Sequence, residues 1–374
     1  MPTIKPFRAL RLSPERINHS EQYTVPDRFT VSGKETGGLY VADPEERYYI
    51  LRMIREGHEQ TGIIACVAVE GYRNGTVKRH ELIRPAKVDL QMWLIGDAGG
   101  NTEPALLAFE AEGKPVPPIG AYADSHPPLY DFAGTDDTIH QLWAVEDAEL
   151  AASLGRFFQT VDTLYICDGH HRIAASAAYD DRFRTAESRW FMAAIFPAEE
   201  MLILDFNRAV SDLNGLSKEE LLGKLAEESF EAECVGGAPY RPAERGEYAM
   251  VIDDTWYRLR YTGTRVDDPV ASLDVSILQN RILGPILGID DPTHDERITF
   301  LRGMRGLAGL QAMTHRGMKV AFALSPVTMK EIFAVANAGL TMPPKSTCFE
   351  PKPVKNLLVH PIPGEGTVSG PKKY

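Results

Sequence analysis

Residues 146–161 place Leu150, Leu154, Phe157 and Phe158 at three- and four-residue intervals, the stripe of an amphipathic helix. Residues 163–167, TLYIC, follow as an unbroken apolar run of strand length. Upstream, residues 63–83 hold two β-type runs on either side of Asn74-Gly75, which predicts an antiparallel hairpin there. The segments 88–95 and 103–113 are short apolar stretches set off by glycine or proline, readable as strands or a short helix. Residues 189–210 read as buried strands broken near Pro197.

Ser217 stands three residues before Glu220, the spacing at which side chain and backbone cap each other reciprocally, and predicts a helix start. Residues 247–261 alternate around Asp253-Asp254 as a hairpin, and 272–289 read as a helix interrupted at Pro285. Residues 321–340 read as a strand, a turn at Pro326 and a helix stopped at Gly339. The expected class is therefore mixed α/β, with one part over 1–210 and a second over 211–374. Neither a Pro/Gly/Ser linker nor an internal repeat separates them.

Composition narrows the function. With 44% hydrophobic and 25% charged residues, the chain has the makeup of an ordered globular protein. Its net charge of -12 and lack of a long basic run argue against nucleic acid as a partner. The opening MPTIKPFRALRL is no signal peptide and no run of about 18 apolar residues exists, so the expectation is a cytoplasmic protein without a membrane partner. Cys66, Cys167, Cys234 and Cys348 are too scattered for a zinc knuckle or a disulfide framework and read as thiols. A homo-oligomer is compatible with all of this.

The chemistry concentrates at 164–183, LYICDGHHRIAASAAYDDRF. A strand, a glycine turn and a helix start present unpaired amides and a positive dipole end to an anion, and the glycine lets a ligand approach the backbone. Arg172 adds a charged fork, a histidine adds a proton donor near neutral pH, and Asp168 is suited to hold a tautomer, a metal ion or a proton. The plainer alternative is that Asp168 only caps the helix and Arg172 is a surface charge. Adjacent helical residues point apart, so one of His170 and His171 is expected to be structural.

This motif resembles a segment of the domain-of-unknown-function family 1015, as do IKPFRALR at 4–11, DFNRAV at 205–210 and MPPKSTCFEPK at 342–352, in the same order. The D-G-H-H-R turn is also similar to the phosphate-binding turn of the ParB and sulfiredoxin superfamily, whose members include CTP-using partition proteins, ATP-using sulfiredoxins and free-serine kinases. The resemblance implies a ParB/sulfiredoxin-like N-terminal part with an elaborated C-terminal half. It also implies Gly169, His170, His171 and Arg172 around nucleotide phosphates, with Asp168 near the metal or acceptor hydroxyl. Three departures matter. His170 stands where sulfiredoxins place a reactive cysteine, no basic helix-turn-helix is evident, and EQYTVPDRF at 21–29 replaces a proline-tyrosine-aspartate phrase found in many members.

Two further groups are candidates. Lys345-Ser346-Thr347 ends like a nucleotide loop, but Met342-Pro343-Pro344 precedes it where a P-loop needs glycines, so on composition it is a rigid turn. The resemblance lets it close over the phosphates. Asn207-Arg208 follows the buried run MLILDF, where α/β folds place ligand groups at strand ends.

The expected function is a nucleotide- or phosphate-binding protein acting as a phosphotransferase on a small hydroxylated metabolite. ATP, ADP or another nucleotide would be the donor, with Mg²⁺ held at Asp168. Asp168, His170 and His171 are the catalytic candidates, and Gly169, Arg172, Asn207, Arg208 and Lys345–Thr347 the ligand-holding ones. A non-catalytic nucleotide sensor and a metal-dependent hydrolase using His170 and Asp168 are the alternatives.

Overall fold

The computed structural model describes residues 1–17 and 39–363, so the segment 21–29 lies outside the described residues. The chain divides into two compact units, Met1–Leu202 together with the chain from Pro351, and Ile203–Glu350. The sequence-based boundary near 210 compares with 202 here, and the residues after Glu350 return to the first unit.

The first unit is built on a mixed sheet of β1 (Ile4–Lys5), β2 (Tyr49–Arg55), β3 (His58–Ala68), β4 (Val77–Lys78), β5 (Ala105–Phe109), β6 (Tyr130–Ala133), β7 (Ile139–Ala144), β8 (Leu164–Asp168) and β9 (Trp190–Pro197). Its order is β4-β8-β5-β9-β3-β2-β7-β6, with β1 beside β3. The pairs β4–β8 and β5–β9 are parallel. Alternate residues of the central strands (Ile63, Ala65 and Val67; Ala105, Leu107 and Phe109; Phe191, Ala193 and Ile195) point to one side and form a continuous apolar core. The stripe Leu150, Leu154, Phe157 and Phe158 of the helix Ala148–Phe158 fills that face, and Asp147 caps this helix by accepting from the amides of Glu149 and Leu150.

The hairpin expected at Asn74-Gly75 does not form. Val69–Arg73 is a short helix, α1, and β4 leaves it to pair with β8 rather than with β3. The Asn74 side chain closes that turn locally, its Oδ1 accepting from the Thr76 amide at 3.1 Å. The tight hairpin of this region joins β2 to β3 through Glu56 and Gly57, both at positive φ. Residues 88–95 belong to a longer helix, α2 (Pro85–Ala98), opened by Pro85 and stopped by left-handed Gly99, whereas 103–113 supply only strand β5.

The last described segment of this unit is zipped onto residues 99–102. The Asn356 amide donates to Thr102 O (2.6 Å), the Ile362 amide to Gly99 O (2.9 Å), and His360 and Pro361 pair with Asn101 and Gly100. Beneath it, Glu187 accepts from Lys5 Nζ at 2.9 Å and lies 3.0 Å from His360 Nε2. The His360 contact, reinforced by Lys5, holds the Glu187 carboxyl down to about 2. A carboxylate with a lowered folded pKa stabilises the fold fully above its unfolded value, and that contribution is lost as pH falls through the folded one. Allowing for screening at this half-buried position, the contribution is about 1–2 kcal/mol. Glu187→Gln is therefore expected to melt several degrees lower at pH 7, with the gap to wild type closing between about pH 4.5 and pH 2. A gap independent of pH in calorimetry would contradict this.

The second unit carries an antiparallel sheet ordered Phe230–Gly236, Thr255–Tyr261, Glu247–Ile252, Val320–Leu324, Phe206–Val210 and Ile298–Arg302. Asp253 and Asp254, both left-handed, make the hairpin turn read from sequence. Ser217 and Glu220 form the expected reciprocal cap of Lys218–Glu227, and Thr328 and Glu331 do the same for Met329–Asn337. The helix from Asp274 widens into a π turn over Gln279–Leu283 before Pro285. The class is mixed α/β, and among the described residues no helix is long and apolar enough to cross a membrane.

Candidate functional site

Strand β8 ends at Asp168, Gly169 turns the chain at φ 89°, and helix α3 (His170–Phe183) begins at once. The first intrahelical bond runs from the Ile173 amide to Gly169 O at 3.1 Å, so the amides of His170, His171 and Arg172 lack helical partners, and no side chain caps them. Asp168 does not cap the helix. Its Oδ2 accepts from Arg172 Nη2 at 2.8 Å and its Oδ1 from Lys352 Nζ at 2.7 Å. Burial alone would push the Asp168 carboxyl up, but Lys352 and Arg172 outweigh it and hold the carboxyl below its ordinary range. Arg172 also pairs through Nη1 with Glu103, while its Nε is buried without a hydrogen-bond partner among the described residues. The helix start thus faces two cations already bridged by carboxylates.

The two histidines differ in what they can offer. His170 is buried; its Nε2 accepts from the His80 amide at 3.4 Å, which leaves the proton on Nδ1, 3.5 Å from Glu81 Oε2. Burial, then the neighbouring His80 and His171, drive its pKa well below the ordinary value, so it is neutral at pH 7. The His80 ring stands edge-on to His170 at 4.5 Å, fully buried, its pKa lowered to about 4 by burial. His171 is half-exposed, and its Nε2 accepts from the Arg84 amide at 3.1 Å. Its Nδ1–H is consequently the ring donor left for a ligand. Burial, Lys87 and Arg84 lower its pKa too. The Cys167 thiol, buried at the strand end, is pushed well up and is not a nucleophile at neutral pH.

Asp168, Gly169, His170, His171 and Arg172 are therefore together in the first unit. The other sequence candidates belong to the second unit. Asn207 and Arg208 are buried within strand Phe206–Val210, not at its end. Asn207 Oδ1 accepts from the Leu324 amide at 3.2 Å and its amide group bonds Asp205. Arg208 donates to the carbonyls of Phe206 and Lys345, and burial lowers its pKa to about 9. Lys345 adopts a left-handed backbone with Nζ over the Phe206 ring, Ser346 donates to Pro343 O at 2.6 Å, and Thr347 is half-buried. This is a proline-turn geometry rather than a phosphate loop.

A cavity of about 190 Å³ opens beside Arg172, walled by Gln91 and Ile95 of α2, by Asn101 and Glu103, and by Lys355. Four residues of the site were not singled out from sequence: His80, Glu81, Glu103 and Lys352. Lys352 closes MPPKSTCFEPK, where Lys-Ser-Thr is the more conspicuous group, and His80-Glu81 lie in the stretch whose composition predicts a hairpin arm.

None of the curated proteins matches the chain. Among solved structures, a free serine kinase in complex with AMP is 15% identical over 78% of this chain and 90% of that one, with a TM-score of 0.39. A C-terminally truncated SbnI from Staphylococcus aureus is 15% identical over 80% and 87%, TM-score 0.40. A conserved hypothetical protein from Pyrococcus furiosus is 14% identical over 78% and 94%, TM-score 0.39. The model of one family, described as protein of unknown function (DUF1015), matches residues 34–276, close to two thirds of the chain and including the whole Gly169 turn, and the chain belongs to that family.

Proposed function

We propose that this protein binds the phosphates of a nucleotide or another phosphorylated metabolite at the Gly169 turn and transfers a phosphoryl group to or from a small hydroxylated acceptor. The observation carrying this is the uncapped start of α3 after a left-handed glycine, with Arg172 and Lys352 drawn to the same turn by Asp168. Strand, left-handed glycine and helix in this order also suit a turn of the ParB/sulfiredoxin type, and the proposal places the first unit in that superfamily.

The chemistry follows from the positions. The amides of His170, His171 and Arg172, the His171 Nδ1–H and the Arg172 fork would take the charge on the transferring group's oxygens. Asp168 and Glu103 converge on the Arg172 guanidinium, and with Arg172 turned from them to the phosphates the two carboxylates would hold Mg²⁺, which prefers hard oxygens. Bound there, Mg²⁺ would neutralise phosphate charge. As the acceptor oxygen bonds phosphorus and the bond to the leaving oxygen breaks, the hydroxyl proton passes to Glu81, a half-exposed carboxylate oriented by His170 Nδ1–H. Glu81→Gln is expected to cut turnover by about 10²- to 10⁴-fold while leaving nucleotide affinity within about twofold. Unchanged turnover would remove Glu81 from the role of base.

The binding claim is tested by a thermal-shift panel of ATP, ADP, CTP, phosphoserine and inorganic phosphate with Mg²⁺. A ligand selective for the native state raises the melting temperature. A shift present in wild type and lost in His171→Ala/Arg172→Ala supports the proposal; a folded protein with no shift for any ligand overturns it.

One observation favours a hydrolytic metal centre instead: candidate ligand atoms of His80, Glu81 and His170 lie within 4.8 Å of one another. The proton on His170 stands against it. A metal on Nδ1 would force that proton onto Nε2, against the donating His80 amide, so these residues as arranged do not fit a resident metal.

A further inference from the structure

We infer that the first unit holds a second ligand site, a cavity of about 250 Å³ that shares Lys352 with the phosphate turn and takes a small molecule with a flat apolar body and one anionic group. Phe132 and His140 occupy directly paired positions on β6 and β7, with rings 5.4 Å apart and only 26° from parallel. His140 is 2% exposed, and its Nδ1 is buried with no hydrogen-bond partner among the described residues. A buried polar ring left unpaired costs free energy that a native fold normally recovers through a partner. His140 and Gly134 both line the cavity, and Gly134 approaches so closely that an added Cβ would lie 3.3 Å from His140 Nε2.

The charge of the cavity is set by elimination among its lining groups. Asp136 is committed, Oδ2 to Arg55 at 3.1 Å and Oδ1 to the Thr138 amide at 3.3 Å. Lys352 uses one donor on Asp168 and keeps two. Lys355 is exposed and has no carboxylate partner among the described residues. Two lysines therefore line the space beside Phe132, Val354 and His140, a histidine whose pKa burial lowers to about 4 and which is neutral. An anion between the lysines, with its body against Phe132 and Val354, matches the charge and the apolar surfaces of this lining.

The site stands on this geometry alone. The phosphoryl-transfer reading enters in one respect, that the occupant is then the acceptor, brought beside Asp168 by Lys352.

The test uses ¹⁹F NMR titration of the full chain with 4-fluorobenzoate, 4-fluorophenyl phosphate and, as the neutral control, 4-fluorobenzyl alcohol. At least one anion is expected to bind and the alcohol at least about tenfold more weakly; which anion binds tells a carboxylate site from a phosphate site. Phe132→Ala should weaken the anion about fivefold and Lys355→Met by a similar factor. Binding by neither anion, equal binding of the alcohol, or indifference to Phe132→Ala would each overturn the inference. ADP binding, followed separately by thermal shift, should survive Phe132→Ala. In the wild-type protein, ADP binding without binding of either fluorinated anion sinks this site alone, and anion binding without ADP binding sinks the phosphate reading alone.

Discussion

Arg172→Ala is expected to weaken the phosphorylated ligand by about 10- to 100-fold in calorimetric titration and to slow turnover with it. Hydrogen bonds to charged groups contribute about 1.5–3 kcal/mol each, and every 1.4 kcal/mol is tenfold in affinity. The substitution also strips Glu103 of its ion pair and leaves Asp168 with Lys352 alone. Arg172→Lys separates charge from shape, since an ammonium restores the first without the planar fork that reaches two carboxylates at once. It should recover only part of the loss. Wild-type affinity in Arg172→Ala, with the fold intact by circular dichroism, would place the phosphates elsewhere.

Gly169→Ala should act on the same grip from the backbone side. A side chain at φ 89° costs about 1–2 kcal/mol, and the new Cβ would lie 2.7 Å from Arg172 Nε and Nη2. The guanidinium must move, so ligand affinity should fall nearly as far as in Arg172→Ala, together with a lower denaturant midpoint. Because both changes remove one interaction, the double variant should bind little worse than either single one. Fully additive losses would mean that Gly169 serves the ligand directly and not through Arg172.

The elements legible in the sequence were those with local signals. The stripe Leu150, Leu154, Phe157 and Phe158, the Ser217–Glu220 cap and the paired aspartates at 253–254 each encode their element within one short segment. Asn74-Gly75 misled because the same dipeptide closes a helix here, and β-type residues before it, Val69 and Tyr72, serve a helical turn instead. Pairing partners are non-local, and nothing in Val77–Lys78 announces β8.

The site shows the same division. Asp168 to Arg172 is a contiguous motif and was readable as a turn, but its use of Asp168 as an ion-pair hub depends on Glu103 and on Lys352, 184 residues away. Which histidine keeps a free donor was equally unreadable, since it is decided by the backbone amides of His80 and Arg84. Helical geometry alone dictates only that two adjacent side chains cannot point the same way.

The return of the chain after Glu350 has a consequence for biosynthesis. Ribosomes deliver the β-sheet and the Gly169 turn early, but Lys352 and the stretch that zips onto residues 99–102 emerge only after the whole second unit. A nascent or truncated chain ending near residue 350 would hold Asp168 with Arg172 alone and have an open edge at Gly100–Asn101. Asp168 therefore gains the second of its two cationic partners only after the whole second unit has been made.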